Sequence, residues 1–163
     1  MKRIMPIVLT MVALFALNAT SQVVEPLKFI QTIPIPGLPD GGFDHFAVDL
    51  PDHRLFLAAE ENSAVEVFDL STNKLIHTIS DLKAPHSMTY RADSKKLFVV
   101  DGDLARVKVY QGDSYNPVAS IKLMEEADSS AFDPSTKYMY VVNGGRGAGR
   151  GVSVSLMTGR NEP

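Results

Sequence analysis

Residues with useful side-chain chemistry recur along this chain at one fixed spacing. Asp44, His86 and Asp128 are separated by 42 and 42 residues, and His45 directly follows the first of them. A carboxylate and an imidazole held together can bind a divalent cation or carry out acid–base chemistry. The spacing therefore predicts a repeated structure that brings these side chains to one place.

A second set of polar residues is expected at the same place. If each repeat is a set of antiparallel strands, the loop after its second strand opens on the same face as the start of its first strand. In the three copies, those loops contain Glu60 and Glu61, Asp101 and Asp103, and Asn143 and Arg146. We predict a ligand-binding site at this face and define it as the channel mouth, formed by Asp44, His45, His86, Asp101, Asp128, Asn143 and Arg146.

The metal candidates within the channel mouth are Asp44, His86 and Asp128, and the cofactor they would hold is a divalent cation. No residue is assigned a catalytic role, because no Ser-His-Asp order, HExxH or phosphate-loop pattern is present. The alternative stays open that the Asp residues only cap turns, which is their commoner role at such positions.

The elements that must position these residues repeat with the same period. Phe56, Phe98 and Tyr140 are spaced by 42 and 42 residues, each inside an apolar run. Each copy reads as four short strands, which in the first copy are residues 46–48, 55–59, 64–68 and 74–79. The second strand is apolar throughout, which predicts burial on both faces. In the third copy, residues 152–155 are predicted as a strand and 157–160 as a turn.

A period of about 40–45 residues with four strands per unit is typical of a β-propeller. The sequence therefore predicts an all-β propeller of four-stranded antiparallel blades. Its copies are residues 43–84, 85–126 and 127–163, the last incomplete.

The segment between the N-terminal residues and the first copy contains one further strand signal. Lys28–Ile33 closely matches Lys74–Ile79, so it is predicted as a fourth strand that closes the ring, within an N-terminal segment of residues 22–42. About three blades are fewer than the 4–8 of a closed ring. We expect the N-terminal portion of a longer propeller; the alternative is a partial propeller that closes by self-association. Either way, the isolated chain is expected to expose apolar faces and to self-associate.

The repeat sequences resemble a known family. Residues 65–74, 96–100 and 138–143 (VEVFDLSTNK, KLFVV and YMYVVN) resemble the repeat of the YVTN-type β-propeller proteins, over roughly residues 28–145. Another propeller class, NHL-type or lactonase-like, is the alternative. The resemblance implies an exported propeller and no particular reaction.

Two function classes follow from the resemblance and the channel mouth. The first is a binding or scaffold protein that uses loops on one face for a protein or small-molecule ligand. The second is a lactonase-like hydrolase or a dehydrogenase-type subunit with a metal at the channel mouth. The fold alone does not choose between them, because function resides in the loops and not in the fold. The binding protein is the preferred interpretation.

Composition excludes other classes. The chain has 163 residues, 16 basic and 19 acidic, with no Cys, so neither a nucleic-acid footprint nor a disulfide framework is expected. The Gly-Arg tract at residues 144–151 does not match a phosphate-binding pattern and is interpreted as a flexible loop.

The N-terminus has the order of a secretory signal peptide. Lys2 and Arg3 precede an uncharged stretch, residues 4–17, and residues 18–21 are small and polar. The apolar run is shorter than the roughly 20 residues of a membrane span. Residues 1–21 are therefore predicted as a cleaved signal, which makes the protein periplasmic or extracellular without a stable membrane span. Cleavage after Ala19 and retention as an uncleaved anchor are the alternatives.

N-terminal sequencing of the exported protein tests this assignment. We expect the mature chain to begin at Gln22, or at Thr20 if cleavage follows Ala19. Recovery of a soluble cytoplasmic protein that retains Met1 would contradict it.

Overall fold

The structure is a computed structural model that describes residues 27–144 and 153–158. The predicted signal peptide (residues 1–21) and Arg146 lie outside the described residues. Within residues 27–144 and 153–158, no helix is long and apolar enough to cross a membrane. Their regular structure consists of eleven strands in three antiparallel sheets and one short 3-10 helix.

Each sheet falls within one of the predicted repeat copies. The second strands of the sheets begin at Arg54, Lys96 and Tyr138, which repeats the 42-residue period of the sequence. The first sheet has the order β1-β2-β3-β4, the second β5-β6-β7-β8 and the third β11-β10-β9. The strands are β1 (Phe46–Asp49), β2 (Arg54–Ala59), β3 (Ala64–Asp69), β4 (Lys74–Ile79), β5 (Pro85–Arg91), β6 (Lys96–Asp101), β7 (Arg106–Gln111), β8 (Pro117–Lys122), β9 (Ala127–Asp133), β10 (Tyr138–Asn143) and β11 (Ser153–Thr158).

The third strand of the third sheet differs from its prediction. β11 continues to Thr158, although residues 157–160 were expected to form a turn. The reason is that β11 pairs with the whole of β10, from Tyr138 opposite Thr158 to Asn143 opposite Ser153. Backbone pairing with a complete neighbour overrides the local turn preference of the sequence.

The turns between strands repeat their backbone conformation as well. His53, Lys95 and Lys137 connect the first and second strands of the three sheets, and all have positive φ, at 50°, 49° and 64°. In the third of these turns, hydrogen bonds from Ser135 and Thr136 lower the pKa of Asp133 to about 2. A short polar side chain therefore satisfies the turning backbone, as expected for such residues.

The core consists of two layers, one on each side of the second sheet. Phe56, Val65 and Val67 of the first sheet pack with Leu97 and Val99 of the second. The opposite layer joins the second sheet to the third; its buried members are Val100, Val107, Val109, Leu123, Ala127, Met139 and Val141. β6 therefore contributes to both layers, which explains why its sequence is continuously apolar.

A buried arginine joins the first two sheets. Arg54 is 7% exposed, and its guanidinium donates to Asp49 Oδ2 at 2.6 and 3.1 Å. It also donates to the Gly112 carbonyl and, at 3.2 Å each, to the hydroxyls of Tyr90 and Tyr115. Burial acts to lower the pKa of Arg54, but its hydrogen bonds with Tyr115 and Asp49 outweigh burial and raise that pKa. The ion pair in the first sheet is thus tied to side chains and backbone of the second.

The three aromatic residues of the repeat are equivalent in register but not in burial. Phe56, Phe98 and Tyr140 each sit at the third position of a second strand, opposite Val67, Val109 and Leu156. Phe56 is completely buried, Phe98 is half-buried, and Tyr140 is 38% exposed. Among the described residues, no sheet covers the face that carries Tyr140, whereas the second sheet covers Phe56.

The predicted ring-closing strand is not observed. Lys28–Ile33 has no regular secondary structure. Phe29 and Ile30 are almost fully exposed. A strand is stable only when a neighbour completes its backbone hydrogen bonds, and this segment has none among the described residues.

Truncation of the equivalent aromatic residues measures this difference. We expect Phe56→Ala to cost about 3–5 kcal/mol in the free energy of unfolding, because it removes a large buried ring and leaves a cavity. Tyr140→Ala is the matched control and, measured on the dissociated chain, should cost about 1 kcal/mol or less, since its ring already contacts solvent. Equal losses in chemical denaturation would show that the two layers are not arranged as described.

Candidate functional site

Two carboxylates and one imidazole converge where the first and second sheets meet. His86 Nδ1 lies 2.9 Å from Asp44 Oδ2 and 3.8 Å from Glu60 Oε1. The three side chains each offer one ligand atom, and these atoms lie within 4.8 Å of one another. All three are partly buried. We refer to Asp44, Glu60 and His86 as the triad.

The first sheet positions both carboxylates through its backbone. Asp44 N–H donates to the Ala58 carbonyl at 3.0 Å, which extends the β1–β2 pairing beyond the strand and carries Asp44 to the end of β2. Glu60 begins a 3-10 helix, Glu60–Asn62, immediately after β2. Glu61 then accepts a hydrogen bond from Gly42 N–H at 2.9 Å and holds the loop before β1 against this helix. Asp44 and Glu60 therefore sit side by side.

The second sheet presents the imidazole through an irregularity in β5. The β5–β6 register shifts between Pro85 and Met88, so His86 lies within a bulge, a feature that commonly re-aims a side chain. The ring lies against Gly102, where an added Cβ would stand 2.7 Å from His86 Cδ2 and Nε2. The same Cβ would stand 2.8 Å from the Ala127 carbonyl oxygen. Only glycine leaves room for the ring in this position.

A pocket opens beside the triad. It has a volume of about 290 Å³ and is formed by residues from all three sheets and their loops. Its lining residues are Glu60, Ala84, His86, Gly102, Asp103, Glu126, Ala127, Asp128 and Gly144. Among these, every charged side chain is a carboxylate and the remaining titratable group is the His86 imidazole. The electrostatic character of the wall therefore favours a cation.

Two predicted members of the channel mouth are structural in the described residues. Asp101 is fully buried, and its carboxylate accepts hydrogen bonds from the backbone N–H groups of Lys83, Ala84 and Leu104 at 2.7–3.1 Å. Asn143, at the equivalent end of β10, is also fully buried and donates to Ser155 Oγ at 2.9 Å. Neither residue lines the pocket, and Asp101 holds the loop that leads to His86.

The other predicted residues are closer to the pocket, with different exposure. Asp128 lines the pocket and is exposed, and its backbone carbonyl accepts a hydrogen bond from Ser87 Oγ at 2.6 Å. It stands outside the triad, in which Glu60 takes the third place that the sequence assigned to Asp128. His45 is half-exposed and contacts Asp44 Oδ1 through Nδ1.

Two residues of the site were not identified as site residues from the sequence. Glu60 belongs to a loop that was expected at this face, but nothing in its sequence context distinguishes it from Glu61. Gly102 occupies the position equivalent to Glu60 in the second copy, and Gly144 does so in the third. This position is charged in one copy and glycine in the other two, and that difference could have identified Glu60 from the sequence.

Comparisons with known proteins give the fold and not the family. No protein-family model and no curated protein matches this chain. The chain is similar to a solved structure of hydrazine synthase from Kuenenia stuttgartiensis, with a TM-score of 0.62 and 17% identity over 69% of this chain and 33% of the other. A nidogen/laminin complex matches with a TM-score of 0.59 and 15% identity over 71% of this chain and 44% of the other. A luciferin-regenerating enzyme matches with a TM-score of 0.59 and 15% identity over 73% of this chain and 45% of the other.

These neighbours have propeller-type folds, so the all-β, propeller-like character of the chain is confirmed. The chain spans less than half the length of each of these structures. The resemblance to YVTN-type repeats stays a prediction from the sequence.

The contact between Gly102 and His86 generates a specific prediction. Gly102→Ala should displace the imidazole and destabilise the fold by about 1–3 kcal/mol, as expected for overpacking. In histidine side-chain NMR spectra, we expect the signals of His86 to move, together with those of His45, which shares Asp44. The signals of His53 and His77 are the internal control and should stay in place; an unchanged His86 signal would contradict the packing described.

Proposed function

We propose that this chain is part of an exported β-propeller that binds a small cationic ligand at the channel mouth. The carrying observation is the pocket wall, whose charged side chains are Glu60, Asp103, Glu126 and Asp128, with His86 beside them. Asp103 is paired with Lys83 Nζ at 3.2 Å. Carboxylates held together repel one another, and a cation bound among the others relieves that repulsion. The volume of about 290 Å³ suits an inorganic dication with its remaining ligands, or a small amine.

The propeller part of the proposal rests on the stacking of the sheets. The first sheet buries Phe56 and Ala58 against the second, and the second buries Val100 against the third. At the equivalent positions of the third sheet, Tyr140 and Val142 are 38% and 39% exposed. In the working protein a further sheet of the same kind covers this face, supplied by a longer chain or by a second copy.

Self-association of the isolated chain follows from that exposed face. In light scattering of the purified chain, we expect a particle of at least twice the mass of one chain. Val142→Lys should reduce the association, because it places a charge in the middle of the apolar face. Lys95→Glu, on an exposed turn, is the control and should not. A compact monomer with one cooperative unfolding transition would contradict the proposal.

An enzyme is the second candidate, and the contact between Asp44 and His86 favours it. A carboxylate that accepts from one imidazole nitrogen orients the ring and leaves the other nitrogen for proton transfer. Here Nδ1 faces Asp44 and Nε2 lies on the side of Gly102, next to the pocket. Hydrazine synthase and luciferin-regenerating enzyme are enzymes by name, whereas the nidogen/laminin structure is a complex between proteins. The fold thus accommodates both classes, and a lactonase-like hydrolase or a dehydrogenase-type subunit remains the enzyme alternative.

Calorimetric titration of the purified chain tests the binding function. The probes are Mg²⁺, Ca²⁺, Mn²⁺, Zn²⁺ and putrescine, with sulfate as the anionic control. We expect at least one cation to bind with saturation, and Asp128→Asn to weaken it about 3- to 10-fold, the effect of one unit charge roughly 6 Å away in a partly solvated site.

Asp113→Asn, in an exposed ion pair with Lys95 on an outer turn, is the matched control and should bind as the parent does. If none of the cations binds, or if sulfate binds as well as they do, the proposal is wrong.

A further inference from the structure

The triad has an arrangement that a hydrogen bond alone does not explain. Two carboxylates, Asp44 and Glu60, approach the same nitrogen, His86 Nδ1, at 2.9 and 3.8 Å. A ring nitrogen carries one proton at most and can donate to one of them. The shorter distance gives that hydrogen bond to Asp44 and leaves the Glu60 carboxylate beside it, beyond hydrogen-bond range. Among the described residues, no side-chain hydrogen bond compensates Glu60 for this proximity to Asp44.

From these distances, we propose that Asp44, Glu60 and His86 Nδ1 bind one transition-metal dication, a deepening that rests on the cation-binding function proposed above. Nitrogen and oxygen ligands lie about 2.0–2.2 Å from such an ion, which places neighbouring ligand atoms roughly 3–3.5 Å apart. The two separations from His86 Nδ1, 2.9 and 3.8 Å, lie on either side of that range, and all three ligand atoms lie within 4.8 Å of one another. Rotations of Glu60 and His86 therefore complete the site. The bound ion replaces the shared proton and neutralises both carboxylates.

The donor set selects the class of metal. An imidazole nitrogen suits Zn²⁺, Fe²⁺, Co²⁺ or Ni²⁺, whereas Ca²⁺ takes six to eight oxygen ligands and Mg²⁺ prefers oxygen and water. Three protein ligands leave further coordination positions open, and Glu60 and His86 both line the pocket of about 290 Å³. The ion is therefore accessible to water or to a small ligand in that pocket, as in metal sites that do chemistry.

The supporting residues keep the nitrogen ligand in place. The bulge in β5 aims His86 at the first sheet, and Gly102 provides the space that its ring fills. Asp101 fixes the backbone of Lys83 and Ala84, just before His86. On the other side, Glu61 anchors the loop that carries Asp44. Three separate contacts therefore fix the two elements that carry the ligands, which is how a metal site is usually supported.

The experiment is a calorimetric titration of the metal-stripped full chain with Zn²⁺, Co²⁺, Ca²⁺ and Mg²⁺. We expect one Zn²⁺ or Co²⁺ per chain, bound at least about 100-fold more tightly than Ca²⁺ or Mg²⁺. Glu60→Gln should weaken Zn²⁺ by about 10- to 100-fold or more, and His86→Ala should remove the visible absorption of bound Co²⁺. Asp113→Asn and His77→Ala are the matched controls and should bind normally.

The possible results separate this proposal from the cation-binding function. If Zn²⁺ binding survives in Glu60→Gln and His86→Ala but weakens in Asp128→Asn, the triad is wrong and the cation-binding pocket stands. If Ca²⁺ binds more tightly than Zn²⁺, the metal class is wrong. If no cation binds, both proposals fail. Thermal unfolding shows whether the His86→Ala variant is folded. If that variant is unfolded, the Zn²⁺ affinity of Glu60→Gln alone decides whether the triad binds the metal.

Discussion

The middle sheet of this protein buries side chains on both of its faces, and the geometry of the site depends on that packing. Leu97 and Val99 of β6 face the first sheet, while Val100 on the same strand packs against the third. Because β6 is covered on both sides, the sheets cannot slide independently without opening a core layer. The ends of their inner strands are therefore held in one region, and Asp44, His86 and Asp128 stand at those ends.

Buried polar groups fix the relative position of the sheets more specifically than the packing of apolar side chains does. Arg54 reaches from the first sheet to the Gly112 carbonyl and to two tyrosine hydroxyls of the second, while Asp49 balances its charge. A buried ion pair is costly unless every group is satisfied, so this arrangement favours one relative position of the two sheets. Asp101 acts similarly at the other end of β6, where its carboxylate collects three backbone N–H groups. The polar network thus fixes the register in which the triad meets.

The sequence was sufficient for the repeat and insufficient for its exceptions. Continuous apolar runs at a spacing of 42 residues predicted the second strands, and the same spacing predicted that Asp44 and His86 would share a face. The role of Glu60 was missed, because it depends on a 3-10 turn that folds back beside Asp44. An exposed apolar face was expected from the number of blades, but Tyr140 was not assigned to it, since periodicity shows which way a side chain faces and not what covers it. Lys28–Ile33 has no regular secondary structure for the same reason: a strand signal does not supply a partner, and the ring-closing role of this segment stays a prediction.

Equivalent positions in the three copies carry different residue types, and the proposed site consists of residues at which the copies differ. At the equivalent position near the start of the first strand, the three copies carry an acid, an imidazole and an acid, in Asp44, His86 and Asp128. The residue after the second strand is Glu60, then Gly102, then Gly144. Where the acid is kept, it faces His86 of the next sheet; where it is replaced by glycine, the vacated space admits the imidazole ring. A strictly regular repeat with glutamate at all three positions would block that ring, and one with glycine at all three would lack the second carboxylate. The regular part of the sequence therefore supplies the scaffold, and the departures from regularity supply the side chains of the proposed site.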